Sequence, residues 1–189
     1  DVNGSCLGEV TYGCANVLDS VIYITTGTGV GVGVLVNGGL LHGRLHPEGG
    51  HVFLPRHPKD PEGGICPYHK NCLEGFASGP AIEARWGKKA VELVDRPEVW
   101  ELESYYIAQA LVDYILVLSP QKIILGGGVM HQEQLFPMIR ANVLEMLNGY
   151  INTEELGDMD NYIVPASLKD NQGIMGCIKL GLNALDASR

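Results

Sequence analysis

The sequence predicts a domain of the α/β class, because segments with strand patterns alternate along the chain with segments that have helix patterns. Short apolar runs rich in β-branched residues indicate buried strands at 20–27 and 120–129. A long helical pattern fills 97–118, between these two strands. The 25 glycines cluster next to apolar runs, which is typical of tight turns at the ends of strands.

The first elements are predicted to be a helix and a group of strands. Small and apolar residues at 3–16 indicate the helix. Alternating valines follow the first strand and end at Asn37-Gly38, a pair that predicts a β-hairpin. Residues 45–75 have little periodicity and many Gly, Pro and His. A loop of this length is usually functional or held by a cross-link.

The remaining elements are predicted to be mostly helical. Ser78 and Pro80 suit the N-cap and the first turn of a helix. The strand at 120–129 runs into three successive glycines. Two further helices are expected at 132–149 and 173–185, with one short strand between them near 161–164.

Composition narrows the classes of function. The chain has 189 residues and is 46% hydrophobic, which is typical of an ordinary globular domain. Its net charge of −9 makes nucleic acid an unexpected partner. No apolar run approaches the roughly 20 residues of a membrane helix. Five scattered cysteines argue against a disulfide framework and favour a reducing, cytoplasmic compartment. Cys6, Cys14 and Cys177 are expected to be small core residues.

The stretch GGICPYHKNCLEG (63–75) has the spacing of a metal site. Cys66, His69 and Cys72 lie three residues apart, and thiolates with an imidazole favour zinc. Tetrahedral zinc takes four ligands, so one must come from elsewhere. The residues alone leave four upstream candidates open: His42, His46, His51 and His57.

The stretch ITTGTGVGVGV (24–34) has the composition of a phosphate-binding turn, with threonine hydroxyls among glycines directly after a strand. It is not a Walker A loop, because no Gly-Lys-Ser/Thr follows. It is not a Rossmann turn, because a second strand follows. A strand–glycine turn–strand unit resembles the actin-like ATPase (ribonuclease H-like) architecture. The alternative is a glycine-rich hairpin without a ligand.

Three further stretches say little by themselves. Glu48 and His51 in LHPEGGH could hydrogen-bond a polyol or form a surface turn. IILGGGV (123–129) is a weak nucleotide-binding pattern. Asp1 precedes a helix, where an aspartate is commonly an N-cap.

Taken together and in order, these stretches resemble the ROK family of sugar kinases and sugar-responsive repressors. The resemblance covers nearly the whole chain, and the Cys-x-x-His spacing in a long loop is most similar to the family's bacterial fructokinases. The segments that resemble the family's aspartate, phosphate, sugar, zinc and adenosine motifs are, in that order, DVNGSCLGE, ITTGTGVGVGVLVNGGLLHG, HPEGGH, CPYHKNCLEGFASGPAI and IILGGGV.

The resemblance implies a role for each motif. Asp1 matches the general base that takes the proton from the 6-hydroxyl of the sugar as this oxygen attacks the γ-phosphate of ATP, with Mg²⁺ present. Sugar hydroxyls would be bound by Glu48, His51 and Glu74. The phosphates and the adenosine of ATP would be held by Thr26, Gly27, Thr28, Gly29, Gly127 and Gly128. A structural zinc would be held by His51, Cys66, His69 and Cys72.

One departure from the family is large. Members have an N-terminal lobe with an Asp-x-Gly-Gly-Thr-type phosphate loop, which this sequence does not contain. We therefore expect residues 1–189 to be the C-terminal lobe of a two-lobe kinase, with 45–75 as its zinc- and sugar-binding loop. We also expect the chain alone to be inactive or nearly so, and the family implies a homodimer.

Two other classes of function remain open on the sequence. One is a sugar-responsive repressor of the same family; the presence of Asp1 and of the threonine-glycine turn favours the kinase. The other is a zinc-stapled module with only a structural or binding role. Within the kinases D-fructose is the expected substrate, with glucose, mannose or N-acetylmannosamine as alternatives.

Overall fold

A five-stranded mixed sheet runs through the protein, whose computed structural model describes residues 1–60 and 62–188. The strand order is β3-β2-β1-β4-β5. Strands β1 to β3 are antiparallel neighbours, whereas β4 and β5 run parallel to β1. The strands are β1 Val21–Thr26, β2 Val30–Val36, β3 Gly39–Leu40, β4 Lys122–Gly126 and β5 Ile163–Pro165.

Helices cover both faces of the sheet and bury two apolar cores. The larger core includes Trp100, Tyr106 and Ile139, and the smaller one includes Cys6 and Tyr23. Within the described ranges, no helix combines the length and the apolar character needed to cross a membrane. The helices are α1 Val2–Tyr12, α2 Leu73–Ala77, α3 Gly79–Trp86, α4 Pro97–Leu118, α5 Leu135–Leu147, α6 Glu154–Gly157, α7 Met159–Tyr162 and α8 Gln172–Ala187.

The predicted α/β class is confirmed, and the predicted hairpin turn, helix cap and long helix are all present. Asn37 and Gly38 both have positive φ, at 52° and 73°, as a two-residue hairpin turn of type I′ requires. Ser78 caps α3 by accepting a hydrogen bond from the Ala81 amide at 3.3 Å. The predicted helix at 97–118 matches α4.

Three details differ from the sequence prediction. The long loop is partly ordered, because Leu54 and Leu73 donate backbone hydrogen bonds to Asn71 and Val52 and the segment ends in α2. The expectation that Cys14 and Cys177 are core residues is wrong, since both are exposed. Cys177 is an exposed residue of α8 that lines a surface pocket with Asp1 and Ser5, and Cys14 follows the end of α1.

Helices α1 and α8 meet backbone to backbone. A Cβ at Gly176 would overlap the carbonyl group of Gly4, and a Cβ at Gly8 would overlap that of Gln172. Glycine at both positions therefore allows an approach that any side chain would prevent. The contact fixes α1 against α8 on one face of the sheet.

We expect Gly176→Ala to lower the free energy of unfolding by about 2–3 kcal/mol, because the added methyl group forces the two helices apart. Gly181→Ala is the matched control on the same helix, since a Cβ there meets no atom of the described residues within 4 Å. The control should be neutral or stabilising by up to about 1 kcal/mol, as expected for Gly→Ala on an exposed helix face. Urea denaturation followed by circular dichroism measures both, and equal effects of the two substitutions would contradict the close contact.

Candidate functional site

Four side chains converge on one point beside the sheet. The donor atoms of His51, Cys66, His69 and Cys72 all lie within 4.8 Å of one another. Cys66 Sγ lies 3.9 Å from the Nδ1 atoms of both histidines, and Cys72 Sγ lies 3.6 Å from His51 Nδ1. Bonds of about 2.3 Å to sulfur and about 2.0 Å to nitrogen place tetrahedral zinc ligands roughly 3.6 Å apart. The donor set therefore fits zinc in both chemistry and spacing.

The chain brings these ligands together through short, local structures. His51 is the last residue of a 3-10 turn, Gly49–His51. This turn packs so closely on β2 that a Cβ at Gly50 would overlap the Val30 carbonyl. Cys72 pairs with Phe53 in a β-bridge and caps α2, where its sulfur accepts a hydrogen bond from the Gly75 amide at 3.4 Å. Contacts within the chain therefore position both ends of the loop next to the cluster.

The two thiols differ in their acidity. Burial raises the pKa of a thiol, but backbone N–H groups of His69 and Tyr68 outweigh this for Cys66 and hold its pKa below the ordinary value. The pKa of Cys72 is raised, first by burial. A thiolate is the form of cysteine that a metal binds, and the backbone N–H groups around Cys66 favour that form.

Glu74 connects the four-ligand cluster to the glycine turn after β1. Its Oε2 atom accepts a hydrogen bond from the Val30 amide at 3.0 Å, and its Oε1 atom lies 3.9 Å from His51 Nε2. Gly29 lies against the same carboxylate, since a Cβ there would come 2.7 Å from Oε2. One side chain of α2 therefore contacts both the predicted phosphate turn and a predicted metal ligand.

A cleft of about 480 Å³ lies where the two glycine segments face each other. Gly27 and Thr28 form one wall, and Gly128 and Val129 form another. The Gly79 amide donates to the Gly27 carbonyl at 2.7 Å and so ties the start of α3 to the turn. Sequence reasoning assigned no ligand role to the residues that complete the lining, which are Gly79, Pro80, Glu83, Lys89, Ala90 and Val91.

Asp1 lies at the same end of β2 as Glu74. Val2 packs on the outer side of Gly31, where a Cβ would come 3.3 Å from Val2 Cβ. Gly31 is the neighbour of Val30, whose amide binds Glu74. The Asp1 side chain is exposed and accepts no capping hydrogen bond from the residues that the structure describes. Its position therefore depends on how α1 is held.

The other predicted residues are placed differently. Glu48 is exposed and begins the turn that carries His51, and within the described residues its side chain makes no hydrogen bond. Thr26 is 2% exposed and does not line the cleft. Gly127 has φ of 88° and packs against the end of β1, where a Cβ would overlap the Thr26 backbone.

A buried ion pair holds the far side of the long loop. Asp60 is 1% exposed and accepts from Arg85 Nε at 3.1 Å and from the Tyr106 hydroxyl at 2.7 Å. The Tyr106 oxygen in turn accepts from the His57 amide at 3.0 Å. Burial alone would raise the pKa of Asp60, but the Tyr106 hydroxyl and the Arg85 guanidinium hold it below the usual range. Sequence reasoning missed this group.

The ROK family model matches residues 1–184, which is most of the chain. The chain belongs to the ROK family. The fold agrees: a ROK hexokinase from Thermus thermophilus superposes with a TM-score of 0.80 at 24% identity, over 97% of this chain and 64% of that one. A ROK family glucokinase from Streptomyces griseus, solved with glucose and AMPPNP, gives a TM-score of 0.74 at 24% identity, over 95% of this chain and 65% of that one. The predicted actin-like ATPase fold is thereby confirmed.

Sequence relatives are closer. A Bacillus subtilis (strain 168) protein that carries a provisional fructokinase name is 56% identical over 99% of this chain and 63% of its own length. Fructokinase from Pediococcus pentosaceus is 48% identical over 98% of this chain and 63% of its own length. This ROK chain therefore spans about 63% of the length of these relatives.

We expect the purified chain to contain about one equivalent of zinc, and Cys72→Ser to reduce this to a small fraction, because a hydroxyl is a poor ligand for the ion. Cys177→Ser is the matched control, since Cys177 is an exposed thiol outside the cluster. Metal analysis after gel filtration measures the content. Zinc-free parent protein, or equal zinc in both variants, would contradict the assignment.

We expect Asp60→Asn to lower the free energy of unfolding by about 3–5 kcal/mol at neutral pH, because it leaves the buried Arg85 charge without its partner. Folding lowers the pKa of Asp60, so the carboxylate contributes stability above its unfolded value of about 4 and loses this contribution as the pH falls through the lower folded value. The gap between parent and variant should therefore narrow in acid. Denaturation at several pH values measures it, with exposed Asp95→Asn as the control; a gap independent of pH would contradict the ion pair.

Proposed function

We propose that this chain provides the sugar-binding and much of the nucleotide-binding surface of a kinase that transfers the γ-phosphate of ATP to the 6-hydroxyl of D-fructose. The observation that carries the proposal is the double contact of Glu74, which faces His51 with one oxygen and the glycine turn with the other. A sugar held by the first group would lie beside phosphates held by the second. Four relatives named fructokinase, 39% to 48% identical, support the choice of sugar.

Asp1 is proposed as the general base of this transfer. Its carboxylate would take the proton of the 6-hydroxyl as the oxygen forms a bond to the γ-phosphorus and the bond to the β-phosphate oxygen breaks, leaving ADP. The exposure of Asp1, and the lack of a capping bond from its side chain, leave both carboxylate oxygens free for this. Mg²⁺ would accompany ATP, as in kinases generally.

Zinc is proposed to act on sugar binding through His51. The Nδ1 atom of His51 faces the two cysteine sulfurs, whereas Nε2 faces Glu74. A metal on Nδ1 fixes the tautomer, so that Nε2 carries a proton and can donate to a sugar hydroxyl. Glu74 can accept a hydrogen bond from the same sugar. Glu48, which precedes the turn that carries His51, would bind a further hydroxyl.

The cleft between the glycine segments is proposed as the site of ATP. Thr28 and Gly29 would donate to the phosphates through their backbone amides and the Thr28 hydroxyl, while Gly27, whose amide donates to the Gly29 carbonyl at 2.9 Å, would face the phosphates and hold the turn closed. Gly127 and Gly128 would lie near the adenosine. The relatives extend well beyond the matched part, so the proposal retains a second lobe that closes the site. The chain by itself is then expected to be inactive. A homodimer remains part of the proposal through the family resemblance alone.

A repressor role is less well supported. One neighbour is a ROK family transcriptional regulator, with a TM-score of 0.69 at 22% identity, and this likeness extends to the fold alone. The net charge of −9 also disfavours contact with nucleic acid by this part of the chain.

The test uses a hybrid in which residues 1–189 replace the matched segment of the Pediococcus pentosaceus fructokinase. We expect ATP-dependent phosphorylation of fructose by the hybrid, with glucose, mannose and N-acetylmannosamine as slower substrates, and none by the chain alone. Asp1→Asn should lower kcat by about 100-fold or more with little change in KM, because the proton acceptor is lost. A coupled ADP assay measures both constants.

Asp19→Asn is the matched control, since Asp19 is exposed and lies away from the cleft. Near-parental kcat in the Asp1→Asn hybrid would overturn the general-base role. A hybrid that folds, binds zinc and phosphorylates no hexose would overturn the kinase proposal, and rapid turnover by the chain alone would overturn the need for a second lobe.

A further inference from the structure

Glu9 is a fully buried carboxylate near the end of α1. Its Oε1 atom accepts hydrogen bonds from the amides of Ser167 at 2.7 Å and Leu168 at 3.2 Å. Its Oε2 atom accepts from the Ser167 hydroxyl at 2.6 Å, from the Cys14 amide at 3.2 Å and from the Cys14 thiol at 3.4 Å. Two oxygens therefore receive five donors, which fills the roughly four lone-pair positions that a carboxylate offers.

The donors come from two distant parts of the chain. Cys14 follows α1 directly, whereas Ser167 and Leu168 lie in the turn between β5 and α8, 158 and 159 residues away from Glu9. Burial, followed by the negative charge of Glu9, raises the pKa of the Cys14 thiol to about 11. The thiol thus stays protonated at neutral pH and remains a donor.

Three contacts together set the position of α1. Its first turn packs through Val2 on Gly31 and Gly33 of β2. Its middle meets α8 through the glycine contact described above. Its last turn is bonded through Glu9 to the turn after β5. The last contact is the only one of the three that is made by hydrogen bonds to a charged group, and such bonds are roughly twice as strong as hydrogen bonds between neutral groups.

We propose that Glu9 is a positioning residue for Asp1, locking α1 to the turn after β5 so that the carboxylate at the start of the helix is held in line with the sugar. This inference rests on the proposed role of Asp1. Glu9 belongs neither to the four-ligand cluster nor to the lining of the cleft, so it would act through the helix that carries the base. Among the described residues, the Asp1 carboxylate accepts no capping hydrogen bond that would assist it.

The substitution Glu9→Gln in the hybrid enzyme tests whether Glu9 positions Asp1, because it leaves the substrate-binding loops unchanged. The new amide group places a donor against the N–H and O–H donors of Cys14 or Ser167, so the end of α1 shifts. A displacement of the order of 1 Å can cost about 100-fold in rate, and we expect kcat to fall roughly 10- to 100-fold. The KM for fructose should stay within about threefold and the zinc content should not change, because the sugar and metal ligands lie on other elements.

Two further variants complete the design. Glu145→Gln is the matched control, since Glu145 is an exposed carboxylate on α5, and it should leave kcat unchanged. Ser167→Ala removes one donor and is expected to give a smaller loss; combined with Glu9→Gln, it should add little, because both act through one contact. Additive losses would overturn the proposed coupling.

Hydrogen exchange in the 189-residue chain provides a readout that does not depend on catalysis. The amides of Ser167, Leu168 and Cys14 should exchange faster in Glu9→Gln than in the parent, with Glu145→Gln as the control. Unchanged exchange of these amides would overturn the proposed lock. Faster exchange with unchanged kcat in an active hybrid would overturn the link to Asp1, whereas an inactive parent hybrid would count against the kinase proposal instead.

Discussion

The hydrogen bond from the Val30 amide to Glu74 is the interaction on which the arrangement of the site depends. It joins the start of β2, and hence the glycine turn, to the short helix that follows the four-ligand cluster. Because the other oxygen of Glu74 faces His51, a shift of either partner changes the distance between the two halves of the site. The cluster therefore matters beyond the stability of the loop, since it determines where α2 begins.

The long loop is held on two sides by different chemistry. On the side of the sheet, four side-chain donors converge where a divalent ion can bind all of them. On the far side, Asp60 and Arg85 form a buried pair that needs no ion. A segment with few apolar residues cannot bury enough surface to order itself, so these polar contacts replace a core of its own.

Much of the fold and part of the site could be predicted from local sequence. The hairpin at Asn37-Gly38, the cap at Ser78 and the helix 97–118 each follow from residues that are neighbours in the chain. Cys66, His69 and Cys72 were found by spacing, and His51 by resemblance. Asp60 and Glu9 could not be found in this way, because their partners lie 25 and 158 residues away and follow no repeating pattern. The exposure of Cys177 was missed because α8 is rich in apolar residues, which suggests a buried helix, although several of them are exposed.

The contact between α1 and α8 has a mechanical consequence. Most packed helices are separated by side chains that can change rotamer, which lets one helix slide past the other in small steps. Gly4 and Gly176 leave no such layer, since the two backbones touch. A movement of Asp1 relative to the sheet would therefore carry α8 with it, and the two helices would rotate together as one rigid body about the end of α1.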